Sequence, residues 1–258
     1  MNTTRATINL TEQAFRNLGL SLPKKMTDEI ARVTAALADR GAFTPNLEAL
    51  GNATAEAMID GRDPLTDPAV DLELKRQQLA TLRISEHLDA VIERRRAALV
   101  NAHLPAIIDA LAGVVKEADA ALHEAREAIP GLDLTDPAFG SLVPPSKLPL
   151  WGNARRAADR ASTAAQTWTL LASALNFGRE YPSHRPLILA DLTATERDAL
   201  GREAKADAAL HAGHRISLAT PEVFTERVRR VVDGRAALET ERLATQSATQ
   251  GARHRFIA

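Results

Sequence analysis

One stretch of the chain constrains the fold more than any other, because it contains almost nothing that would end a helix. Between Ala69 and Ile129 there is one proline, Pro105, and one glycine, Gly113. Apolar residues recur there at steps of three and four, as one face of a helix requires: Leu104, Ile107, Leu111, Val115, Ala118, Leu122, Ala125 and Ile129. An unbroken helix over 67–129 would be about 90 Å long. Such a rod must cover its apolar stripe against its own chain or a partner, and we expect it to self-associate along this helix.

Pro105 leaves two interpretations of this long segment. Proline removes one backbone hydrogen bond and clashes with the preceding turn, so it kinks or ends a helix. Residues 101–104 contain no glycine and make a poor loop, which favours a kinked helix. A true hairpin at 101–105 is the alternative, and it would fold the segment back on itself.

Composition indicates an all-α protein with thin seams between its helices. Aromatic residues make up 3% of the chain, whereas alanine and leucine, both strong helix formers, dominate its apolar content. The chain has no cysteine, which excludes disulfides, thiolate-bound metals and thiol catalysis. The first twenty residues contain no apolar core of a signal peptide. The most apolar run, Ala106–Val115, is too short to span a bilayer. We therefore expect a cytoplasmic protein without a membrane segment.

Helix-start signals and proline-rich stretches predict four regions. These are short helices in 1–64, the long helical segment in 65–130, a proline-rich connector in 131–150, and a helical unit in 151–258. Thr44-Pro45, Asp67-Pro68 and Thr220-Pro221 each place a capping residue before a proline at the first helical position. Thr193 and Glu196 form a capping box, whose helix is predicted to reach His211 and end at Gly213. The pentapeptide Leu-Thr-Asp-Pro-Ala occurs at 65–69 and 134–138, which indicates a shared capping solution.

One group of side chains has the chemistry of a metal site. Glu203, Asp207, His211 and His214 follow at steps of four, four and three, which would place them near one helical face. Carboxylates and imidazoles bind zinc, iron and manganese. Asp119, His123 and Glu127 form a second such face. Carboxylate-bridged bundles use Glu-x-x-His pairs, and this chain has none. Ordinary polar surface is the competing interpretation, and no cofactor is predicted.

Five residues are candidate contacts for a partner. Arg94, Arg95 and Arg96 interrupt the apolar stripe, and they form either a solvated face or a docking site for an acidic partner. Trp151 and Trp168 are rare aromatics that either plug a helix crossing or anchor a partner. Nucleic-acid binding is not expected, because the arginines of the last helix are interleaved with acidic residues and the net charge is -1.

Catalytic motifs do not emerge from the sequence. It contains no Gly-x-Gly-x-x-Gly, Walker A or Gly-x-Ser-x-Gly pattern. The alanine-, arginine- and aspartate-rich, lysine-poor composition resembles that of proteins from actinobacteria and their phages. A helical rod followed by a small charged helical unit resembles phage assembly or scaffolding proteins in layout. That resemblance implies a non-enzymatic assembly protein, virion-associated if phage-derived, that forms a homo-oligomer or binds a protein partner. A compact helical-bundle binding module and a helical metal-carboxylate enzyme are the alternatives.

Overall fold

The computed structural model describes residues 3–38, 46–82, 84–174 and 181–255. It gives the backbone alone at residues 3, 36–38, 81, 84–86, 137, 174, 181–182 and 247–255. Throughout this part of the chain the fold is all-α, as the composition predicted. The α-helices are α1 Thr3–Asn17, α2 Lys24–Ala38, α3 Leu47–Ile59, α4 Pro68–Thr81, α5 Ile84–Ala128, α6 Leu148–Ala174, α7 Ala194–Ala199, α8 Ala208–His211 and α9 Pro221–Arg255. Three 3-10 helices span Pro137–Leu142, Pro145–Lys147 and Tyr181–Ile188.

The chain divides into two compact units. Unit 1 comprises residues 1–6 and 22–103, and unit 2 comprises residues 7–21 and 104–258. Unit 1 contains α2, α3, α4 and the first half of α5. Unit 2 contains most of α1, the second half of α5 and every later element. The division therefore falls inside the long helix rather than at the proline-rich connector.

Unit 1 is organised around the pairing of α3 with α4. Asn46 caps α3 by accepting a hydrogen bond from the Ala49 N–H at 3.0 Å. The predicted start at Thr44-Pro45 lies outside the described residues. The predicted start at Asp67-Pro68 is confirmed, since the Asp67 side chain accepts from the N–H groups of Ala69 and Val70.

The long segment is two helices rather than one. α4 ends at Thr81, with Leu82 as its C-cap, and α5 begins at Ile84. No proline or glycine marks this interruption. α5 then continues through Pro105, so the hairpin at 101–105 does not form. Pro105 withholds one hydrogen bond from the carbonyl of Asn101, and because Asn101 is exposed, water can satisfy that oxygen.

The apolar stripe of α5 is buried within unit 2. Ile107, Leu111, Val115 and Leu122 are all fully buried. The alanine-rich face of α6, residues 187–190 and several residues in the first turns of α9 are also buried in unit 2. The chain therefore covers this stripe itself over residues 104–129, and self-association of the protein stays a prediction.

Residues 217–219 lie beside the end of the 3-10 helix Tyr181–Ile188 in the core of unit 2. The Ser217 and Ala219 N–H groups donate to the carbonyls of Leu189 and Ile188, at 2.6 and 2.9 Å. The buried Arg227 of α9 donates to the carbonyls of Leu187 and Ser217 and to the Ser217 hydroxyl. This arginine ties α9 to both backbone segments, and burial lowers the pKa of its guanidinium.

The proline-rich connector is an ordered part of unit 2. Asp136 caps the 3-10 helix Pro137–Leu142 by accepting from the Ala138 N–H at 2.8 Å, and Val143 is buried. The repeated pentapeptide therefore uses the same aspartate cap twice, at Asp67 and at Asp136, as the sequence predicted.

The helix predicted from Thr193 to His211 is broken in the structure. Its capping box forms: Thr193 and Glu196 exchange hydrogen bonds through their side chains and backbone N–H groups. α7 stops at Ala199, however, and Gly201 adopts a positive φ of 87°. Only the four-residue α8 follows, and Gly213 ends it with a φ of 92°, as predicted.

One helix has the length and composition of a membrane span. A segment within His87–Ala128 has a mean hydropathy of 1.7, and 39% of it is buried inside the protein. The core helix of a folded protein meets the same criterion.

Candidate functional site

The predicted metal ligands do not lie on one helical face. Glu203 is exposed in the loop after α7, while Asp207 is the N-cap of α8 and His211 is the last residue of that helix. The Nε2 atom of His211 lies 3.9 Å from Oδ2 of Asp207. His214 follows the turn at Gly213, and its Nδ1 lies 3.9 Å from Oε1 of Glu196. Glu196 belongs to the capping box, and hydrogen bonds from the Thr193 N–H and hydroxyl lower the pKa of its carboxyl group.

The helix predicted to carry these ligands is interrupted at Gly201. The four candidate residues, which are spaced by three or four positions, therefore do not lie on one continuous helix. Among the described residues, no group of three or more histidine, aspartate or glutamate side chains has the geometry of a metal site. The second predicted face is also divided, because His123 pairs with Glu127 at 3.2 Å while Asp119 bonds elsewhere.

Asp119 joins α5 to the segment that follows α8. Its carboxylate accepts from Nε and Nη2 of Arg215 and from the Ile216 N–H, at 2.6 to 3.1 Å. The nearby Arg126 donates to the Leu210 carbonyl at 2.6 Å. Asp119 raises the pKa of Arg215, whereas burial lowers that of Arg126. These contacts hold the segment after α8 against α5, so Asp119 has a structural role.

The three consecutive arginines of α5 have different surroundings. Arg96 is buried, with 7% of its surface exposed, and its Nη1 donates to Glu93 at 2.7 Å. The prediction that the three arginines form one solvated face is therefore wrong for Arg96, because its side chain is buried. Arg94 and Arg95 are exposed, and their contact with an acidic partner stays a prediction.

Both tryptophans take part in the packing of α6. Trp168 is buried, donates its Nε1–H to the Ala219 carbonyl at 2.8 Å and packs against Phe224, with ring centroids 5.1 Å apart. Trp151 is half-buried between Gly140 and the guanidinium of Arg155. Trp168 therefore plugs a helix crossing, which the sequence favoured over a partner anchor.

The largest concentration of exposed apolar side chains lies on the α3–α4 hairpin. Between α3 and the end of α4 the exposed large side chains are Leu47, Met58, Ile59, Leu65, Leu72, Leu74, Leu79 and Leu82. In the same stretch only Ala57 and Val70 are buried apolar residues. The hairpin therefore shows more of its large apolar side chains to solvent than it buries.

The outer side of this hairpin has a regular geometry. Leu72 and Leu79 are seven residues apart, about two helical turns, and so lie above one another on α4. Leu47 and Met58 are eleven residues apart, about three turns, and align in the same way on α3. Val70 lies roughly opposite Leu72 on the helical wheel, so the side of α4 that is buried is not the side that carries the leucines. We call these two exposed pairs together, Leu47 and Met58 on α3 and Leu72 and Leu79 on α4, the outer face of the hairpin.

A polar contact fixes how the two helices pair. The Gln77 side-chain oxygen, in the orientation that satisfies both donors, accepts from the N–H groups of Asn46 and Leu47 at 3.1 and 3.3 Å. The end of α4 thus lies beside the start of α3, as in an antiparallel hairpin. The predicted site residues do not include this surface, although its heptad spacing of Leu72 and Leu79 was present in the sequence.

Comparison of the chain with family models, with curated proteins and with solved structures gives no match.

Proposed function

We propose that the protein is a non-enzymatic helical assembly protein that self-associates through the outer face of its α3–α4 hairpin. The observation that carries the proposal is the exposure of aligned large apolar residues on both helices of this hairpin. Exposed apolar surface of this extent on adjacent helices marks interaction sites in soluble proteins. The layout resemblance to phage assembly proteins agrees with such a role, and a cytoplasmic or virion-associated location stays a prediction.

Burying the exposed leucines of the hairpin against a partner is energetically favoured over leaving them in water. A helix derives most of its stability from packing its apolar face, and the contact between α3 and α4 buries little apolar surface. Fully burying a leucine contributes about 1.5–3 kcal/mol relative to leaving it exposed. Two hairpins that meet through their outer faces would form an antiparallel four-helix bundle, whose core positions these leucines and methionines would fill.

A second copy of the chain is the simplest partner for this face, because it already carries a matching apolar surface. An isologous contact uses the same patch on both partners, and two-fold homodimers are the commonest assemblies. Charge opposes this pairing, since residues 46–82 carry seven carboxylate and three basic side chains. Association between copies should therefore tighten as salt screens their repulsion. A different, basic partner would instead bind more weakly as salt is added.

The experiment is light scattering coupled to size-exclusion chromatography over a tenfold concentration range, at low and moderate salt. We expect a mass above 27.8 kDa that rises with concentration and with salt. The variant Leu72→Gln/Leu79→Gln keeps strong helix formers in α4 and should return the mass to that of the monomer. A monomeric wild-type chain at every concentration and salt would contradict the proposal.

The matched control is Leu238→Gln/Leu243→Gln, which changes two leucines of similar exposure on α9. Leu72 and Leu79 are 50% and 37% exposed, and Leu238 and Leu243 are 48% and 54% exposed. The control should leave the oligomer intact. An oligomer that dissociates in the α9 variant and persists in the α4 variant would place the interface elsewhere and overturn the proposal.

A further inference from the structure

Unit 2 contains a polar cleft that has no part in the proposed self-association. Its volume is about 580 Å³, and its walls come from α7, the loop that follows it, the 3-10 helix Tyr181–Ile188 and α9. Three arginines line it, Arg197, Arg202 and Arg235, against the single carboxylate of Asp198. A cleft of this size lies within the range of small-molecule sites, and its charged side chains are predominantly cationic.

Arg197 lines this cleft and forms no direct ion pair with a described residue. Only 2% of its surface is exposed. Its guanidinium donates to the carbonyls of Ser183, Gly201 and Arg202, and its buried Nε–H has no hydrogen-bond acceptor among the described residues. Burial lowers the pKa of Arg197, and the charge of Arg235 lowers it further, while the nearby Asp198 carboxylate partly opposes both effects. A buried cation without a directly bonded anion is costly, and a bound anion would offset that cost.

The one carboxylate in the cleft is already engaged. Asp198 accepts from Nε and Nη2 of Arg235, and this pairing lowers the pKa of the Asp198 carboxyl group. The side chain of Arg202, which is exposed at the cleft, forms no ion pair with a described residue. After Asp198 and Arg235 are paired, Arg197 and Arg202 remain as excess positive charge.

Another buried arginine of unit 2 shows what a purely structural role looks like. Arg227 also donates to backbone carbonyls, and its Nε–H likewise has no acceptor among the described residues, but it joins two backbone segments inside the core and does not line this cleft. Arg197 resembles Arg227 in its carbonyl contacts and differs in its position against an open cavity beside two further arginines.

We propose that this cleft binds a small phosphate-bearing ligand, with Arg197, Arg202 and Arg235 as its cationic contacts. The planar guanidinium presents paired donors that match phosphate oxygens, and the cleft has room for more than one phosphate group. Ser183, at the rim, adds a hydroxyl. The site lies wholly in unit 2, so the proposal does not depend on self-association through the hairpin.

The test is isothermal titration calorimetry of the 258-residue chain with inorganic pyrophosphate at fixed ionic strength. We expect saturable binding to the wild-type chain. Arg202→Ala should weaken it about tenfold or more, as expected for loss of a charge-assisted hydrogen bond. Arg235→Ala should do the same. An equal enthalpy with succinate would assign the cleft to carboxylates and contradict the phosphate proposal.

The matched control is Arg230→Ala. Arg230 also lies on α9 and is paired with an aspartate, Asp191, at 2.9 Å, but it does not line the cleft. This variant removes the same charge and the same kind of ion pair, and should bind pyrophosphate like the wild-type chain. No saturable binding to the wild-type chain, or equal weakening by Arg230→Ala, would overturn the proposal. Arg202 is exposed, so its variant decides the question if Arg235→Ala unfolds.

Discussion

At the scale of single residues, Gly140 and Trp151 show how one missing side chain positions a large one. A Cβ atom at residue 140 would lie 2.5 Å from Cη2 of the Trp151 ring. The ring is also held by the guanidinium of Arg155, 5.1 Å from its centroid. The connector can therefore lie against α6 only because residue 140 has no side chain.

Gly140→Ala should destabilise the protein by about 1–3 kcal/mol, the usual cost of forcing extra atoms into a packed site. Thermal or urea unfolding followed by circular dichroism measures the effect. Gly113→Ala is the control, because a Cβ there meets no atom within 4 Å and the residue lies within α5. That change should stabilise the protein by about 0.5–1 kcal/mol, since alanine favours helices over glycine. Equal effects of the two changes would contradict the close contact with Trp151.

The sequence favoured a core position for Trp168, with a partner anchor as the alternative, but did not identify Arg197. A rare tryptophan in a chain with few aromatics is a natural candidate for a packed helix crossing. Arg197 lies in the middle of a capping-box helix, where an arginine is ordinarily solvated. Its burial depends on carbonyl groups of Ser183 and Arg202, and pairings across a fold have no signature in local spacing.

At the scale of elements, the repeated pentapeptide gives a controlled comparison of two caps. Asp67 begins α4, is buried, accepts two backbone hydrogen bonds and pairs with Arg62. Asp136 begins the 3-10 helix Pro137–Leu142, is exposed and accepts one backbone hydrogen bond. The same five residues therefore start two helices whose caps differ in burial and in number of partners.

Asp67→Ala should cost about 1–2 kcal/mol of unfolding free energy, at the upper end for loss of an N-cap. Asp136→Ala should cost less, because its cap is exposed and the helix that it begins is shorter. Chemical unfolding of both variants under identical conditions measures the difference. A larger loss for Asp136→Ala would contradict the assignment of Asp67 as the more strongly bound cap.

Element starts were easier to predict from sequence than element ends and interruptions. The caps at Asp67 and Thr193 formed as predicted because a capping residue acts on the turn that follows it. The interruption at Leu82 and the early end of α7 were missed. At Gly201 the signal was present, since glycine readily adopts a positive φ, but the regular spacing of Glu203, Asp207 and His211 favoured a continuous helix.

At the scale of the whole molecule, two apolar surfaces of the chain have different surroundings. The stripe of α5 over 107–122 is covered within unit 2, whereas the outer face of the α3–α4 hairpin is exposed. The sequence correctly required that the long stripe be covered. It did not reveal that the chain covers this stripe itself, because the residues that pack around it are distant along the chain.

Hydrogen–deuterium exchange at two protein concentrations tests most directly the proposal that copies of the protein meet at this hairpin. The wild-type chain would be labelled below and above the concentration at which its mass rises. Contact between hairpins should slow backbone exchange in α3 and α4, because opening these helices would first require the copies to separate. Exchange in α7 and in 236–246 of α9 should not change. Slower exchange confined to α9, or no change in 47–81, would contradict the account.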